Sequence, residues 1–229
     1  MLFLACPTLL YCQSILIEYE TIGNRGVVDG RCELTLTDSF SIWQGIPDST
    51  NLGGPGFFTK SYKENVVYSN ERFGGKEFFV KDSLHSMKWI LTNDTAIILN
   101  EKCFGAKTHF RGRDYTAFYT INYPISDGPW KFGGLPGLIL RVKSNDNYIE
   151  LLATKINKDY KGKIEVPKIK DRKFIKWDEY VKEYIETIDK LGKLVRSNGT
   201  ITDDTRFKLK IETTEIIYPK AQLGDGISF

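Results

Sequence analysis

Alternation of apolar and polar residues dominates positions 15–160 and constrains the fold more than any other feature of the sequence. Around Cys32, Leu34 and Leu36, for example, every second side chain is apolar, which is the period of a strand with one face in a core. Short segments rich in glycine and asparagine separate these stretches, and such short connections join only antiparallel neighbours. The pattern predicts an antiparallel meander with strands at 15–22, 31–43, 64–69, 77–81, 88–91, 95–110, 113–121, 137–143 and 147–156.

One segment follows the helical period instead. Apolar residues at 177–195 fall on a single stripe, with charged side chains on the other faces, and this pattern predicts an amphipathic helix that ends near Gly199. The segment 113–121 carries apolar residues on both faces, so we expect the helix to cover the second face of the sheet. Alternation at 207–211 predicts a return to the sheet. The predicted fold class is mainly β (α+β), a curved antiparallel β-sheet meander covered by one long C-terminal amphipathic helix.

The composition excludes few functions. The chain has 229 residues, of which 41% are hydrophobic, and this is enough for a packed core. Its 32 basic and 29 acidic residues give a net charge of +3, which is too balanced to indicate nucleic acid as a partner. The basic stretch at 155–176 fits either an anionic partner or a solvated loop that protects a sheet edge.

The first twelve residues form an uncharged apolar run that is too short to span a bilayer. We therefore predict a signal peptide at 1–13 and a single β-rich domain at 14–229. The predicted protein is exported, lies in the periplasm or at the outer membrane, and is not an integral membrane protein. The run lacks the usual basic start, so a lipidated Cys12 and a buried N-terminal strand remain alternatives.

Two cysteines, Cys32 and Cys103, would remain after removal of the signal peptide. An exported protein with two cysteines can form one disulfide bond. Both cysteines also lie in alternating segments, where each could be a small buried core residue. The sequence leaves both alternatives open.

A run punctuated by glycine and proline, at 128–140, opens directly into an apolar strand. Pro136 and Gly137 suit the two central positions of a type II turn, with the glycine at positive φ. Residues 134–139 spell the motif for which the GLPGLI family of exported bacterial proteins is named. The chain resembles this family over roughly 89–153, through Trp89, Cys103, Phe110, Arg113, Tyr115, Tyr119, Gly128-Pro129 and Lys131-Phe132. The resemblance implies an exported β-rich protein and implies no established activity.

The same run suggests a place for a ligand. Its apolar side chains would fold back as a loop that either plugs one end of the sheet or forms the lip of an apolar pocket. The candidate lip residues are Trp130, Phe132, Leu135, Pro136, Gly137 and Leu138. The candidate lining residues are Trp89, Arg113, Tyr115 and Tyr119. Arg113 would bind an acidic headgroup unless it pairs with Asp114 or Asp127.

Catalytic, metal and cofactor sites are not indicated by the sequence. Cys103 and His109 share a strand face, but six residues of strand separate them by about 20 Å, too far for a nucleophile and its base. The two histidines and the scattered carboxylates lack the ligand spacings of zinc or calcium sites. We therefore interpret the chain as a non-enzymatic binding or carrier protein for an apolar or lipid-like ligand. The alternatives are a module that docks to an envelope protein and, third, an enzyme.

Overall fold

The computed structural model describes residues 14–23, 26, 28–46, 57–167, 171–197, 208–209, 215–219 and 227–228. The predicted signal peptide and Gly199 lie outside these residues. Twelve strands form one sheet and a single long helix, α1, spans Trp177–Ser197. The strands are β1 Ser14–Gly23, β2 Val28–Leu36, β3 Phe40–Gly45, β4 Phe58–Ser61, β5 Val66–Phe73, β6 Lys76–Ser83, β7 Ile90–Ile98, β8 Glu101–Phe110, β9 Arg113–Thr120, β10 Leu138–Ser144, β11 Ile149–Tyr160 and β12 Ile175–Lys176.

The sheet consists of two meanders joined by the first strand. Its order is β12-β6-β5-β4-β3-β2-β1-β11-β10-β9-β8-β7, so β1 lies between β2 and β11 and pairs antiparallel with both. Consecutive strands pair antiparallel within each meander, whereas β12 pairs parallel with β6. The predicted fold class is confirmed: the protein is mainly β, with one sheet and one C-terminal helix.

The connection between β6 and β7 shows that the sheet is strongly curved. These strands are second and twelfth in the sheet order, so ten strand spacings, about 48 Å in a flat sheet, separate them. Residues 84–89, which connect them, cannot span more than about 25 Å. The two edges must therefore approach each other, although they do not pair and the sheet stays open.

The concave face of the sheet contains the main core. Residues 127–137, which we call the interior loop, enter this face, and Phe132 packs edge-on against Tyr115 of β9 with ring centroids 5.0 Å apart. The loop therefore covers β9 where we had expected the helix. Helix α1 covers the other end of the sheet, where Tyr184 packs on Phe73 of β5 at 4.1 Å.

Several predicted boundaries are corrected by local turns. The predicted strand at 31–43 is divided at Thr37, whose hydroxyl accepts the N–H of Phe40 at 3.1 Å. The predicted strand at 95–110 is divided by Leu99 and Asn100, both at positive φ. Only the asparagine is a residue type that favours this conformation, so the sequence carries a weak turn signal there.

Two further expectations are wrong. Lys208–Leu209, now β13, does not return to the main sheet but pairs with β14, Ile227–Ser228. Gly137 is not among the residues with positive φ, which in the interior loop are Trp130 and Gly134, so the predicted type II turn is absent. Gly137 is required for a different reason, because its backbone passes directly against the carbonyl group of Thr120.

We predict that Gly137→Ala destabilises the fold. A Cβ atom at this position would lie 2.8 Å from the Thr120 carbonyl carbon and would collide with its oxygen, so backbone must move, at a cost of about 2 kcal/mol or more. Gly30→Ala is the matched control, because a Cβ there meets nothing within 4 Å. Chemical denaturation should show a lower free energy of unfolding for Gly137→Ala alone. Equal effects of the two substitutions would contradict the prediction.

Candidate functional site

An ion pair between Lys60 and Asp127 lies buried on the concave face, with both side chains 1% exposed. Lys60 of β4 lies directly opposite Ser41 of β3, so both side chains share this face. The carboxylate of Asp127 accepts hydrogen bonds from the hydroxyls of Ser41 and Tyr62, each at 2.6 Å, from Lys60, and from the N–H of Gly128 at 2.6 Å. Four converging donors are what an ionised, acceptor-only carboxylate requires.

Lys60 fastens the interior loop to the sheet. Besides Asp127, its ammonium donates to the carbonyl oxygens of Gly128 at 2.7 Å and Phe132 at 2.6 Å. Burial lowers the pKa of Lys60, and the charge and hydrogen bond of Asp127 offset part of that effect. All three ammonium protons are therefore engaged in holding the loop.

A second charged cluster connects the interior loop to the helix. The Lys131 ammonium donates to Glu215 at 2.8 Å and Glu71 at 3.1 Å. Burial alone would lower the pKa of Lys131, but these two carboxylates outweigh it and the pKa is raised. Arg111 binds Glu215 as well and stacks over the Trp177 ring at 3.3 Å, which fixes the start of α1.

A cleft of about 480 Å³ opens beside the Lys60–Asp127 pair. Tyr62 belongs to both, since its hydroxyl donates to Asp127 while the residue lines the cleft. Burial and the Asp127 charge raise the pKa of Tyr62, so its hydroxyl stays protonated. The lining residues are Ile15, Leu36, Thr37, Asp38, Tyr62, Asn65, Leu84, His85, Pro124, Ile125 and Ser126.

Two cleft residues, Asn65 and His85, have positive φ values of 56° and 55°. The N–H of Leu84 donates to the Asn65 carbonyl at 3.1 Å, which ties these two segments together. Backbone in this region is costly for histidine and tends to be retained at binding sites. Burial lowers the pKa of His85, as does the Lys60 charge, while Asp127 opposes both, so the imidazole is neutral near pH 7.

The cleft combines an apolar wall with hydroxyl, amide, imidazole and carboxylate groups. Such a lining suits a ligand that presents both apolar surface and several hydrogen-bonding groups. Within the described residues, no group of three or more His, Cys, Asp or Glu side chains could hold a metal ion. None of the described helices is both long and apolar enough to cross a membrane.

The predicted lip and lining residues lie elsewhere. Trp130, Phe132, Leu135 and Leu138 are buried, and Gly137 is buried beside the exposed Pro136. Among the predicted lining residues, Tyr115 and Tyr119 are also buried, and Trp89 donates its indole N–H to the Gly133 carbonyl at 2.8 Å. The rings of this group contact one another and fill the concave face. A ligand-binding role for these residues stays a prediction.

Arg113 has a partner that was not considered from the sequence. It forms an ion pair with Asp146 and stacks on the Tyr148 ring at 3.9 Å. Asp114 instead bonds His109, and Asp127 bonds Lys60. Lys60, Tyr62 and His85 were missed as site residues. The one signal was the position of Lys60 two residues after Phe58, which places both side chains on the same face of the strand.

The two cysteines are free buried thiols in the structure. Cys32 lies in β2 and Cys103 in β8, five strand positions apart in the sheet, so neighbouring strands do not bring them together and the disulfide considered above is not formed. Burial raises the pKa of Cys103 to about 11. Both cysteines are therefore small buried core residues, which was the other alternative considered from the sequence.

We predict that Cys103 reacts with thiol reagents only on unfolding, because a buried thiol of raised pKa provides almost no thiolate at pH 8. The rate should be measured by titration with a chromogenic disulfide in native buffer and in denaturant. The reactivity of Cys103 is the difference between the wild type and Cys103→Ala. The prediction would be contradicted if Cys103 reacted fast in native buffer. It would also be contradicted if Cys103 did not react in denaturant unless a reductant was added.

We also predict that Lys60→Met lowers the free energy of unfolding by about 3–5 kcal/mol, because it leaves the Asp127 charge buried without its partner. The same substitution should cost less in an Asp127→Asn background, where no charge is stranded. Lys155→Met is the control, since it breaks an exposed ion pair with Glu18 and should change little. Strictly additive effects of the substitutions at 60 and 127 would show that the pair is not coupled.

Comparison with solved structures identifies the fold. Two structures of PNGF-II, in space groups P21 and C2, match this chain with TM-scores of 0.56 and sequence identities of 16% and 17%. The matches cover 76% and 77% of this chain but 34% and 32% of the PNGF-II chains. This chain therefore spans about a third of the length of those proteins, and at this identity the likeness concerns the fold alone. No curated protein matches this chain.

A sequence-family model gives the assignment. The model described as N-glycanase peptide, N-terminal domain (PNGase F-II), matches residues 60–182, more than half of the chain. This match contradicts the interpretation as a non-enzymatic carrier for an apolar or lipid-like ligand, because the family is glycanase-related. The family match therefore corrects both the carrier function and the prediction that the chain is no enzyme. The chain belongs to the family of the N-glycanase peptide N-terminal domain.

Proposed function

We propose that this protein acts on N-glycosylated peptides as part of a glycanase reaction, and that the cleft beside the Lys60–Asp127 pair binds the glycosylated segment. The name of the family supports the reaction class, and the matched residues 60–182 include much of the cleft. The observation that carries the proposal is the position of Tyr62, which lines the cleft and is anchored beneath it by Asp127.

The chemistry of the cleft fits this substrate class. A glycosylated asparagine presents hydroxyl and amide groups next to the apolar side chains of a peptide. The polar side chains of Asp38, Asn65 and His85 offer donors and acceptors, and Leu36 and Ile125 offer apolar contact. The volume of about 480 Å³ lies within the range of clefts that hold small ligands.

The buried ion pair would support the cleft by fixing the orientation of Tyr62 in its wall. Binding sites require side chains whose orientation is fixed by a supporting layer of hydrogen bonds. Tyr62 receives this support from Asp127, and Asp127 from Lys60 and Ser41. The Tyr62 side chain is therefore already ordered before a ligand binds, so binding does not carry the entropic cost of ordering it.

Export is the location that fits this function, and we propose it together with the predicted signal peptide. The choice between periplasm and outer membrane, the single-domain organisation and the resemblance to the GLPGLI family stay predictions. The resemblance covers residues 89–153, and these lie within residues 60–182, which the glycanase-related family model matches. The two assignments therefore concern the same part of the chain and do not exclude each other.

The test compares binding of an N-glycosylated peptide with binding of the same peptide without sugar, by fluorescence polarisation. We expect the wild type to prefer the glycosylated form and His85→Asn to weaken that binding by about tenfold, because it removes a hydrogen-bonding imidazole. Asparagine tolerates the positive φ of position 85. His109→Asn is the matched control, since His109 is exposed on β8 and bonds Asp114.

Release of the glycan should be followed by mass spectrometry in the same samples. Release by the wild type, reduced in His85→Asn and unchanged in His109→Asn, would place the reaction at the cleft. Equal affinity of the wild type for the two peptides would refute the proposed function. A preference for the glycosylated peptide that is unchanged in His85→Asn would refute the cleft as its site.

A further inference from the structure

A second, smaller cleft lies on the convex face of the sheet, opposite the core. Phe118 of β9 is paired with Arg141 of β10, and Thr116 with Lys143. Directly opposed residues share a face, and the pair between them, Ala117 and Val142, is buried on the concave side. The cleft has a volume of about 250 Å³ and is lined by Thr116, Phe118, Arg141, Lys143, Ser144, Asn145 and Asn147.

The charged groups of this outer cleft are held in fixed positions. Arg141 donates from Nε and Nη2 to Oε1 of Glu150 on β11, at 2.8 and 2.7 Å. Lys143 approaches the other carboxylate oxygen of Glu150 at 3.4 Å. The guanidinium carbon of Arg141 lies 6.0 Å from the centroid of the Phe118 ring. A half-buried aromatic ring therefore borders a row of preset donors and acceptors.

An amide group completes the rim. The hydroxyl of Thr116 donates to Oδ1 of Asn145 at 3.2 Å, which orients this exposed side chain at the edge of the cleft. The cleft thus offers guanidinium, ammonium and amide donors, carboxylate and amide acceptors, and one apolar ring, on three neighbouring strands and the turn that follows β10. This combination is unsuited to a lipid, because the apolar surface is a single ring.

The geometry points to a carbohydrate subsite: the outer cleft binds one neutral sugar ring of a glycan, with the apolar face of the sugar on Phe118 and its hydroxyls on Arg141, Lys143 and Asn145. A sugar presents both an apolar face and adjacent hydroxyls that donate and accept. Glu150 engages both cations through its two carboxylate oxygens, so an acidic sugar would have to displace this carboxylate to pair with them. A neutral sugar is therefore favoured over an acidic one.

This inference rests on the proposed function, because it takes the ligand to be part of a glycoprotein's glycan. It adds a second sugar contact on the face of the sheet opposite the core. Two weak contacts on one glycoprotein substrate raise its overall affinity well above that of either contact. The outer cleft would thereby favour heavily glycosylated substrates.

The experiment titrates the full chain with a free neutral oligomannose oligosaccharide and with a sialylated oligosaccharide by calorimetry. We expect Phe118→Leu to weaken binding of the neutral sugar about tenfold, because it keeps an apolar side chain but removes the ring face. Phe118→Tyr keeps the ring and should bind as the wild type does. Lys155→Ala, at an exposed ion pair on β11, is the surface control, and thermal unfolding of each variant verifies its fold.

The outcomes separate this inference from the proposed function. Equal binding of the neutral sugar by wild type and Phe118→Leu, with the glycopeptide preference intact, overturns the outer cleft alone. Loss of neutral-sugar binding in Phe118→Leu supports the outer cleft even if the peptides with and without sugar bind equally, which would overturn the proposed function alone. Tighter binding of the sialylated oligosaccharide than of the neutral one overturns the assignment to a neutral sugar.

Discussion

The buried pair of Lys60 and Asp127 is the interaction on which the rest of the structure depends. A loop inside a protein carries backbone carbonyl groups that cannot reach water, and each costs free energy unless it is bonded. Lys60 bonds two such carbonyls, of Gly128 and Phe132, and Asp127 neutralises its charge. The pair therefore makes it tolerable for a loop rich in backbone polar groups to enter the core.

The loop in turn fills the curved sheet. A sheet whose edges are brought together by the short 84–89 connection encloses more space than its own side chains occupy, and Trp130, Phe132 and Leu135 occupy it. Protein interiors leave few voids, so the curved sheet requires the interior loop to fill it, and the loop requires the curved sheet to enclose it. Lys131 connects the interior loop to the helix as well. It shares Glu215 with Arg111, and Arg111 stacks on Trp177 at the start of α1.

Local sequence signals predicted the parts of the fold that local forces determine. The hairpin of β8 and β9 turns at Arg111 and Gly112, both at positive φ, where the dipeptide indicated it. The placement of β1 between β2 and β11 was not predictable in this way, because it brings together residues such as Ser14 and Tyr160. No period or turn signal in the sequence specifies a pairing over that distance.

The site was harder to predict than the fold, for two reasons. An alternation pattern treats a lysine as a solvent-facing residue, so the pattern offered no reason to place Lys60 inside, although its partner Ser41 faces inward. The cleft is assembled from separate segments, with Ile15 at one end of the chain order and Ser126 at the other. Its chemistry exists only after β1 has joined the two meanders.

The same assembly divides the cleft between two parts of the chain. Tyr62, Leu84 and His85 lie within the residues matched by the glycanase-related family, as do Lys60 and Asp127, which anchor the wall. Ile15, Leu36 and Asp38 lie before the matched region and close the cleft from the side of β1 and β2. Under the proposed function, the matched residues supply the anchored Tyr62 and the His85 imidazole, and the residues outside the match complete the wall around the bound peptide. A change in the pairing of β1 with β11 that moves Ile15 would therefore alter the cleft.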